Sequence, residues 1–381
     1  MAYFDNAATT FPKPKEVYSF MNDFYKNNGG SVGRGNYELA VTAKDIVDDT
    51  RKRLLTLFHC PAKNVVFVPT ATIALNIIIQ GLIKDGVRNV YISPFEHNAV
   101  TRILHHYEVK GKITVIILKV TQDLEYDMQQ IKCQFEETAP DLVVVSHASN
   151  VIGLVSPVEI IFQMAKQYNS YTVVDMAQTA GLVDINLGLE TIDFAVFAGH
   201  KSLLGPMGIS GFIFSSSVKP SPVLFGGTGF DSANPNMPDS IPEKYEMGTL
   251  NTMAIAGLNA AIKWIENKTV SELFVEEQKK RSKLLSILKK YRFIKIVGNK
   301  EDRKYIGIVS CLFESISSDS AGVLFSNNGI AVRAGLQCAP NAHKFLGTFP
   351  AGTIRLSVNS FTTDEDFQEL IEFLDYIEDE I

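Results

Sequence analysis

Short runs of valine, isoleucine and phenylalanine recur through the first part of the chain: NVVFVP from Asn64, NVYIS from Asn89, ITVIILKV from Ile113, DLVVVSHAS from Asp141, YTVVDMA from Tyr171, DFAVFAG from Asp193 and ISGFIF from Ile209. Such runs are apolar at consecutive positions, so both faces of each strand are predicted to be buried. Between most of them the apolar positions follow a helical period, as with Ile160, Ile161, Met164 and Ala165. Strands buried on both faces and alternating with helices predict a mostly parallel sheet covered on each side, an α/β class. Residues 15–260 are expected to form this large domain.

The pattern then changes. An amphipathic helix with the only tryptophan, Trp264, leads to a basic helix, EEQKKRSKLLSILKKY, then a strand-like YIGIVSCLF and the segment GTIRLSVN. The last stretch, TDEDFQELIEFLDYIEDEI, places Phe367, Leu370, Ile371 and Leu374 on one face behind a threonine and acidic residues suited to a helix start. Residues 261–381, together with 1–14, are expected to form a smaller α+β domain. The lysines of the basic helix read as a solvated face. SANPNMPDSIPEKYEMG is too rich in proline, asparagine and serine for a regular element.

Composition narrows the function classes. The chain has 381 residues, a net charge of −6 and no run of lysines and arginines, which leaves no electrostatic footprint for nucleic acid or an anionic membrane. MAYFDNAATT lacks the basic and apolar regions of a secretory signal, and no apolar run is long enough to span a bilayer, so a cytosolic protein is expected. Cys60, Cys133, Cys311 and Cys338 are scattered, with no metal-ligand spacing. Cys133 and Cys311 read as small buried hydrophobes and Cys60 as a helix-end residue, whereas Cys338 lies in an irregular segment between glycine, alanine and proline.

Candidate chemistry collects just after the apolar runs, where a parallel α/β sheet binds its ligands. Asp175 ends one run, with Gln178 three residues on; His200 and Lys201 follow the next. A lysine flanked by apparent core (Phe194, Val196, Phe197) and by a glycine-rich turn reads as held at the edge of a site. A carboxylate and an amine at successive strand ends are what pyridoxal phosphate requires: the amine condenses with the aldehyde, and the carboxylate keeps the pyridine nitrogen protonated. His97 suits stacking on the ring and Gln178 suits the phenolic oxygen. Thr70 and Thr72, opening an apolar helix, suit the phosphate. No GxGxxG follows the first strand, which disfavours a nicotinamide enzyme.

The segments YFDNAATT, HNAV, SHASNVIG, VDMAQTAG, GHKSLLGPMGISGF, YEMGTLNT and AVRAGLQCAP resemble the class V aminotransferase family over nearly the whole chain, and most of all its cysteine desulfurases. The resemblance implies fold type I of the pyridoxal phosphate-dependent transferases. It makes Lys201 the Schiff base lysine and Asp175 the partner of the pyridinium. His97 then stacks on the ring, Gln178 contacts the phenolic oxygen, and Thr72 and His200 bind the phosphate. Thr249 would reach the phosphate of the partner subunit's site, which implies a homodimer. Asn150 would lie beside cofactor and substrate, and Arg355 would clamp the substrate carboxylate. Cys338 would attack the γ-sulfur of L-cysteine, after Lys201 removes the α-proton, and carry the persulfide to an acceptor protein.

The spacing of Arg333, Gly335 and Cys338 resembles the group II desulfurases, with Arg333 lowering the thiol pKa or holding the loop. Three positions depart from that pattern: Gln337 where a histidine is expected before the cysteine, Tyr37 in place of another histidine, and Ala198 in place of a serine. They leave the Schiff base residues intact and bear on substrate and acceptor. The alternatives are a selenocysteine lyase built from the same parts, a class V aminotransferase or lyase in which Cys338 is incidental, and a cofactor-binding protein with little turnover.

Overall fold

The computed structural model describes residues 1–380 apart from 33, 34 and 36. In chain order its elements are β1 (Ala2–Tyr3), α1 (Lys15–Asn27), α2 (Glu38–Leu57), β2 (Asn64–Val68), α3 (Ala71–Lys84), β3 (Asn89–Ile92), α4 (Asn98–Glu108), β4 (Thr114–Ile117), α5 (Met128–Glu137), β5 (Leu142–Ser146), α6 (Val158–Lys166), β6 (Tyr171–Asp175), β7 (Phe194–Ala198), β8 (Ser210–Phe214), α7 (Thr252–Lys268), α8 (Val270–Leu288), β9 (Ile294–Val297), β10 (Ile308–Phe313), α9 (Ser318–Asn327), β11 (Ile330–Ala331), α10 (Pro340–Phe345), β12 (Ile354–Ser357) and α11 (Asp364–Glu380).

The seven apolar runs become one sheet in the order β2-β8-β7-β6-β5-β3-β4. Strands β7, β6, β5, β3 and β4 are parallel, and β8 runs antiparallel to both β2 and β7. Every residue of β5, β7 and β8 is buried. Alternate side chains serve the two layers: Val143, Val145, Ala195 and Phe197 join the cluster packed by α2, α5, α6 and α7, while Val144, Phe194 and Val196 join the one packed by α3 and α4. Burying each large side chain contributes about 1.5–3 kcal/mol, so the strand ends are held by a rigid platform.

A second sheet, β12-β10-β9, is antiparallel. Phe367, Leu370 and Leu374 of α11 pack with Leu284 and Leu288 of α8 in the core beneath it, together with Ala2 and Phe4 from the start of the chain. Thr363 and Asp366 cap α11 reciprocally, each side chain accepting from the other's backbone N–H (3.1 and 2.7 Å). The pairing of β1 with β11 carries the N-terminal segment across to the site. Cys133 corrects its sequence reading: α5 turns Ile131 and Phe135 inward and leaves Cys133 exposed. No helix among the described residues is long and apolar enough to cross a membrane.

Candidate active site

Register levels the strand ends. Ser146 of β5 pairs with Asp175 of β6, and Asp175 with Val196 of β7, so Asp175 and the turn after Ala198 stand side by side. A cavity of about 230 Å³ opens there, lined by Thr72, His97, Asn150, Asp175, Gln178, His200 and Lys201, with Ala148 and Ala198 in its wall. Four other candidates, Thr249, Arg333, Arg355 and Cys338, are not among its lining residues.

The turn after β7 presents the lysine. Gly205 N–H donates to the Gly199 carbonyl (2.7 Å), and a Cβ at Gly205 would stand 2.9 Å from that same oxygen, so a side chain there would push the turn open. The N-terminal segment straps the turn: Thr9 and Thr10 hydroxyls donate to the His200 and Lys201 carbonyls (3.1 and 3.0 Å), and Lys13 Nζ donates to the His200 carbonyl (2.5 Å). The sequence signal for Thr9 and Thr10 is the motif YFDNAATT; Lys13 lies beyond it and has none. Burial pulls the Lys201 amine down to about 8, with Asp175 opposing. Burial raises the Asp175 carboxyl above its usual range, opposed by the Ala177 N–H it accepts (2.9 Å) and by Lys201.

His97 caps α4, its Nδ1 accepting from Ala99 N–H (3.0 Å). That bond places the ring proton on Nε2, and burial, with Lys201, Arg102 and Arg355, holds the ring neutral, its pKa lowered to about 4. Behind it lies Glu96, missed from sequence although an acid in the apolar ISPFEHNAV was the clue. Its buried carboxyl accepts from the Ser93 hydroxyl (2.6 Å) and from the Ser146 N–H and hydroxyl (2.7 and 2.8 Å), tying α4 to the end of β5. Gln178 Nε2 donates to the Ala7 carbonyl (2.9 Å).

The cavity fits a phosphorylated pyridine aldehyde. Its lining includes the Asp175 carboxyl and the Lys201 amine. Thr70, which caps α3, lines it too, as do Thr72 and His200. His200 Nδ1 is buried with no hydrogen-bond partner, an orphan that an anion or its hydration would satisfy.

A second polar cluster abuts this one. Arg355, 3% exposed on β12, donates from Nη2 to Asp5 Oδ1 (3.0 Å) and from Nη1 to the Asn150 carbonyl (2.9 Å), leaving Nε without a partner. Arg333 Nη2 donates to Asp5 Oδ2 (2.7 Å), and the two arginines pair through their backbones (3.1 and 2.8 Å). One carboxylate thus holds both guanidinium groups. Arg355 is ion-paired rather than displayed on the cavity wall, and Arg333 holds the N-terminal segment.

Cys338 is exposed and lines a groove that shares Thr72, His97 and Ala99 with the cavity, so it stands at the cavity mouth on the His97 side. Its carbonyl accepts from Asn98 N–H (2.7 Å), and Asn150 Nδ2 donates to the preceding carbonyl, that of Gln337 (2.7 Å). Thr249 and Tyr37 are exposed and do not line this cavity.

Comparison with known proteins adds to this geometry. The family model for aminotransferase class-V matches residues 2–370. A probable cysteine desulfurase of Methanothermobacter thermautotrophicus is 30% identical over 383 residues, covering 98% of this chain and 94% of its own. One of Halalkalibacterium halodurans is 27% identical over 98% of this chain and 92% of its own. The apo structure of a cysteine desulfurase from Thermococcus onnurineus NA1 superposes with a TM-score of 0.90 at 25% identity, over 100% of this chain and 95% of that one.

Proposed function

The chain belongs to the class-V aminotransferase family, and within it we propose that the protein is a pyridoxal phosphate-dependent cysteine desulfurase, converting L-cysteine to L-alanine and holding the released sulfur as a persulfide on Cys338. One observation carries the reading: a half-buried amine and a buried carboxylate, Lys201 and Asp175, share a cavity whose mouth bears an exposed thiol.

Pyridoxal phosphate, when bound, supplies an electron sink that makes the α-proton of an amino acid acidic. The residues divide the remaining work. Lys201 Nζ would hold the cofactor through its aldehyde, and the same amine would take the substrate's α-proton and return it. Asp175 would supply the negative charge for the pyridine nitrogen, and the neutral, planar His97 ring would wall the site. Gln178 would serve the phenolic oxygen, while Thr72, His200 and the start of α3 would serve the phosphate. Arg355 would receive the substrate carboxylate by exchanging its Asp5 partner for it, since both of its terminal nitrogens are engaged by Asp5 and the Asn150 carbonyl. Cys338 thiolate attacks the substrate sulfur: a sulfur–sulfur bond forms, the substrate's carbon–sulfur bond breaks, and its electron pair stays on carbon, which takes up a proton. The thiol and L-cysteine thereby become a persulfide and L-alanine, and an external thiol reductant or acceptor protein then removes the terminal sulfur.

The exposed apolar side chains of Leu224, Phe225 and Phe230, in the segment leading to Thr249, support a homodimer in which Thr249 serves the partner subunit's site. The four cysteines, all unpaired, suit a reducing, cytosolic setting. Residues 15–260, built on the seven-stranded sheet, are read as the large cofactor-binding domain, and 261–381 with 1–14 as the small one.

The test is product analysis: holoenzyme with L-cysteine and a thiol reductant is expected to give alanine and sulfide in equal amounts, and pyruvate or a new keto acid in their place would overturn the assignment. L-selenocysteine run in parallel measures the preference between the two substrates.

A pH dependence follows from the lysine. Only a neutral amine attacks an aldehyde, and with its pKa drawn to about 8 rather than the usual 10.5 the Lys201 amine is largely neutral above pH 8. The rate at which apoprotein takes up pyridoxal phosphate, followed by visible absorbance, is expected to rise with pH, reach half its maximum near 8 and level off about one unit above. A rate that keeps climbing towards 10 would show that the amine is not perturbed.

A further inference from the structure

We propose that Gln337 is a positioning residue for the nucleophile, its buried amide, braced by His343 and Thr348, setting where the Cys338 thiol stands at the cavity mouth. The inference rests on the desulfurase reading and concerns the residue that departs from the histidine expected there.

The loop is pinned at both ends. Gly335 exchanges backbone hydrogen bonds with Thr353 (3.0 and 3.1 Å), and a Cβ on the adjoining Gly352 would lie 2.2 Å from the Gly335 carbonyl, so only glycine lets the two strands approach this closely. Beyond Cys338, Pro340 opens α10. Between these points Gln337 and Cys338 have φ of +40° and +58°, two successive non-glycine residues in the left-handed region. That conformation is disfavoured for L-residues and persists only where surrounding contacts impose it.

Gln337 supplies those contacts. It is 8% exposed, whereas its neighbour Cys338 is exposed, so the backbone turns one side chain inward as it turns the other out. Nε2 donates to the Thr353 carbonyl (2.8 Å), with the Arg333 carbonyl at 3.4 Å. Oε1 accepts from His343 Nε2 (2.8 Å). His343 is fully buried, and its Nδ1 lies 2.7 Å from the Thr348 hydroxyl. Because the amide oxygen can only accept, the imidazole proton is on Nε2, and Thr348 donates to Nδ1. Both halves of the amide therefore meet partners of the right kind, and neither a carboxylate nor an apolar side chain could replace it. The Gln337 carbonyl also accepts from Asn150, which ties this anchor to the cavity wall.

A thiol that must reach a substrate sulfur depends on this placement, since displacing a reacting group by about 1 Å can cost 10²-fold in rate. The test uses holoenzymes of the wild type, Gln337→Ala, Thr348→Val and Cys338→Ala. Each is measured for cofactor content, the spectral change on adding L-cysteine, KM, and kcat for sulfide release. In Gln337→Ala, kcat is expected to fall by about 10²-fold with cofactor content, spectral response and KM unchanged. Thr348→Val, which leaves Gln337 in place but removes its brace, is expected to give a smaller loss in kcat alone. Should Gln337→Ala not fold, Thr348→Val decides.

Unchanged kcat in the variants, or a loss matched by equal losses of cofactor and spectral response, would overturn the proposal, since either would mean a role in folding only. If Cys338→Ala released sulfide like the wild type, the desulfurase reading itself would fall, and the positioning role with it.

Discussion

Replacing Lys201 with alanine is expected to lower L-cysteine turnover by about 10⁴-fold or more, the upper range for loss of a positioned acid–base group, because this side chain also binds the cofactor covalently. The variant should fold normally. Its backbone is held by Thr10 and the Gly199–Gly205 bond, neither of which involves the amine. Removing the amine leaves Asp175 without the cation that opposes the upward shift of its carboxyl, so the cavity also loses its fixed charge balance. Lys201→Arg is expected to be as inactive, because a guanidinium stays protonated and cannot take a proton. Alanine production by amino-acid analysis, alongside near-ultraviolet and visible spectra, checks both. Turnover within about tenfold of wild type would remove Lys201 from the chemistry.

Replacing Cys338 with alanine is expected to be comparably severe for sulfur release, about 10⁴-fold or more, but with a different signature. Cofactor content and the spectral response to L-cysteine should persist, because Cys338 touches the loop, the groove and Asn98 rather than the cavity wall. The contrast separates the two roles. Loss of Lys201 disables binding and proton transfer together, whereas loss of Cys338 stops the reaction after the α-proton has gone. Cys338→Ala that kept full sulfide release would favour the alternative in which the cysteine is incidental.

How far the sequence carried this picture depends on the range over which each feature is encoded. The strands were legible because burial on both faces makes them apolar at every position, and their ends could be searched for polar side chains. Asp175, Lys201, His97, Asn150, Gln178, Thr72 and His200 were found that way and meet in one cavity. The antiparallel direction of β8 was not legible, since SGFIF is buried at every position whichever way it runs.

The ion pairs of Asp5 with Arg355 and Arg333 join residues more than 300 positions apart, and nothing local marks either arginine as already partnered. Gln337 read as a departure because a single position shows neither His343 nor Thr348 folded against it. Cys133 was misread for a simpler reason: in a short amphipathic helix a cysteine fits either face, and packing of Ile131 and Phe135 decides.

The most direct test of Cys338 as sulfur carrier is a single turnover of holoenzyme with L-cysteine in the absence of reductant, followed by alanine quantitation and peptide mass analysis. One extra sulfur on the peptide containing Cys338, in step with alanine and absent from Cys338→Ala, is the expected result. Extra sulfur on the exposed Cys133 instead, or alanine formed at the wild-type rate by Cys338→Ala, would contradict it.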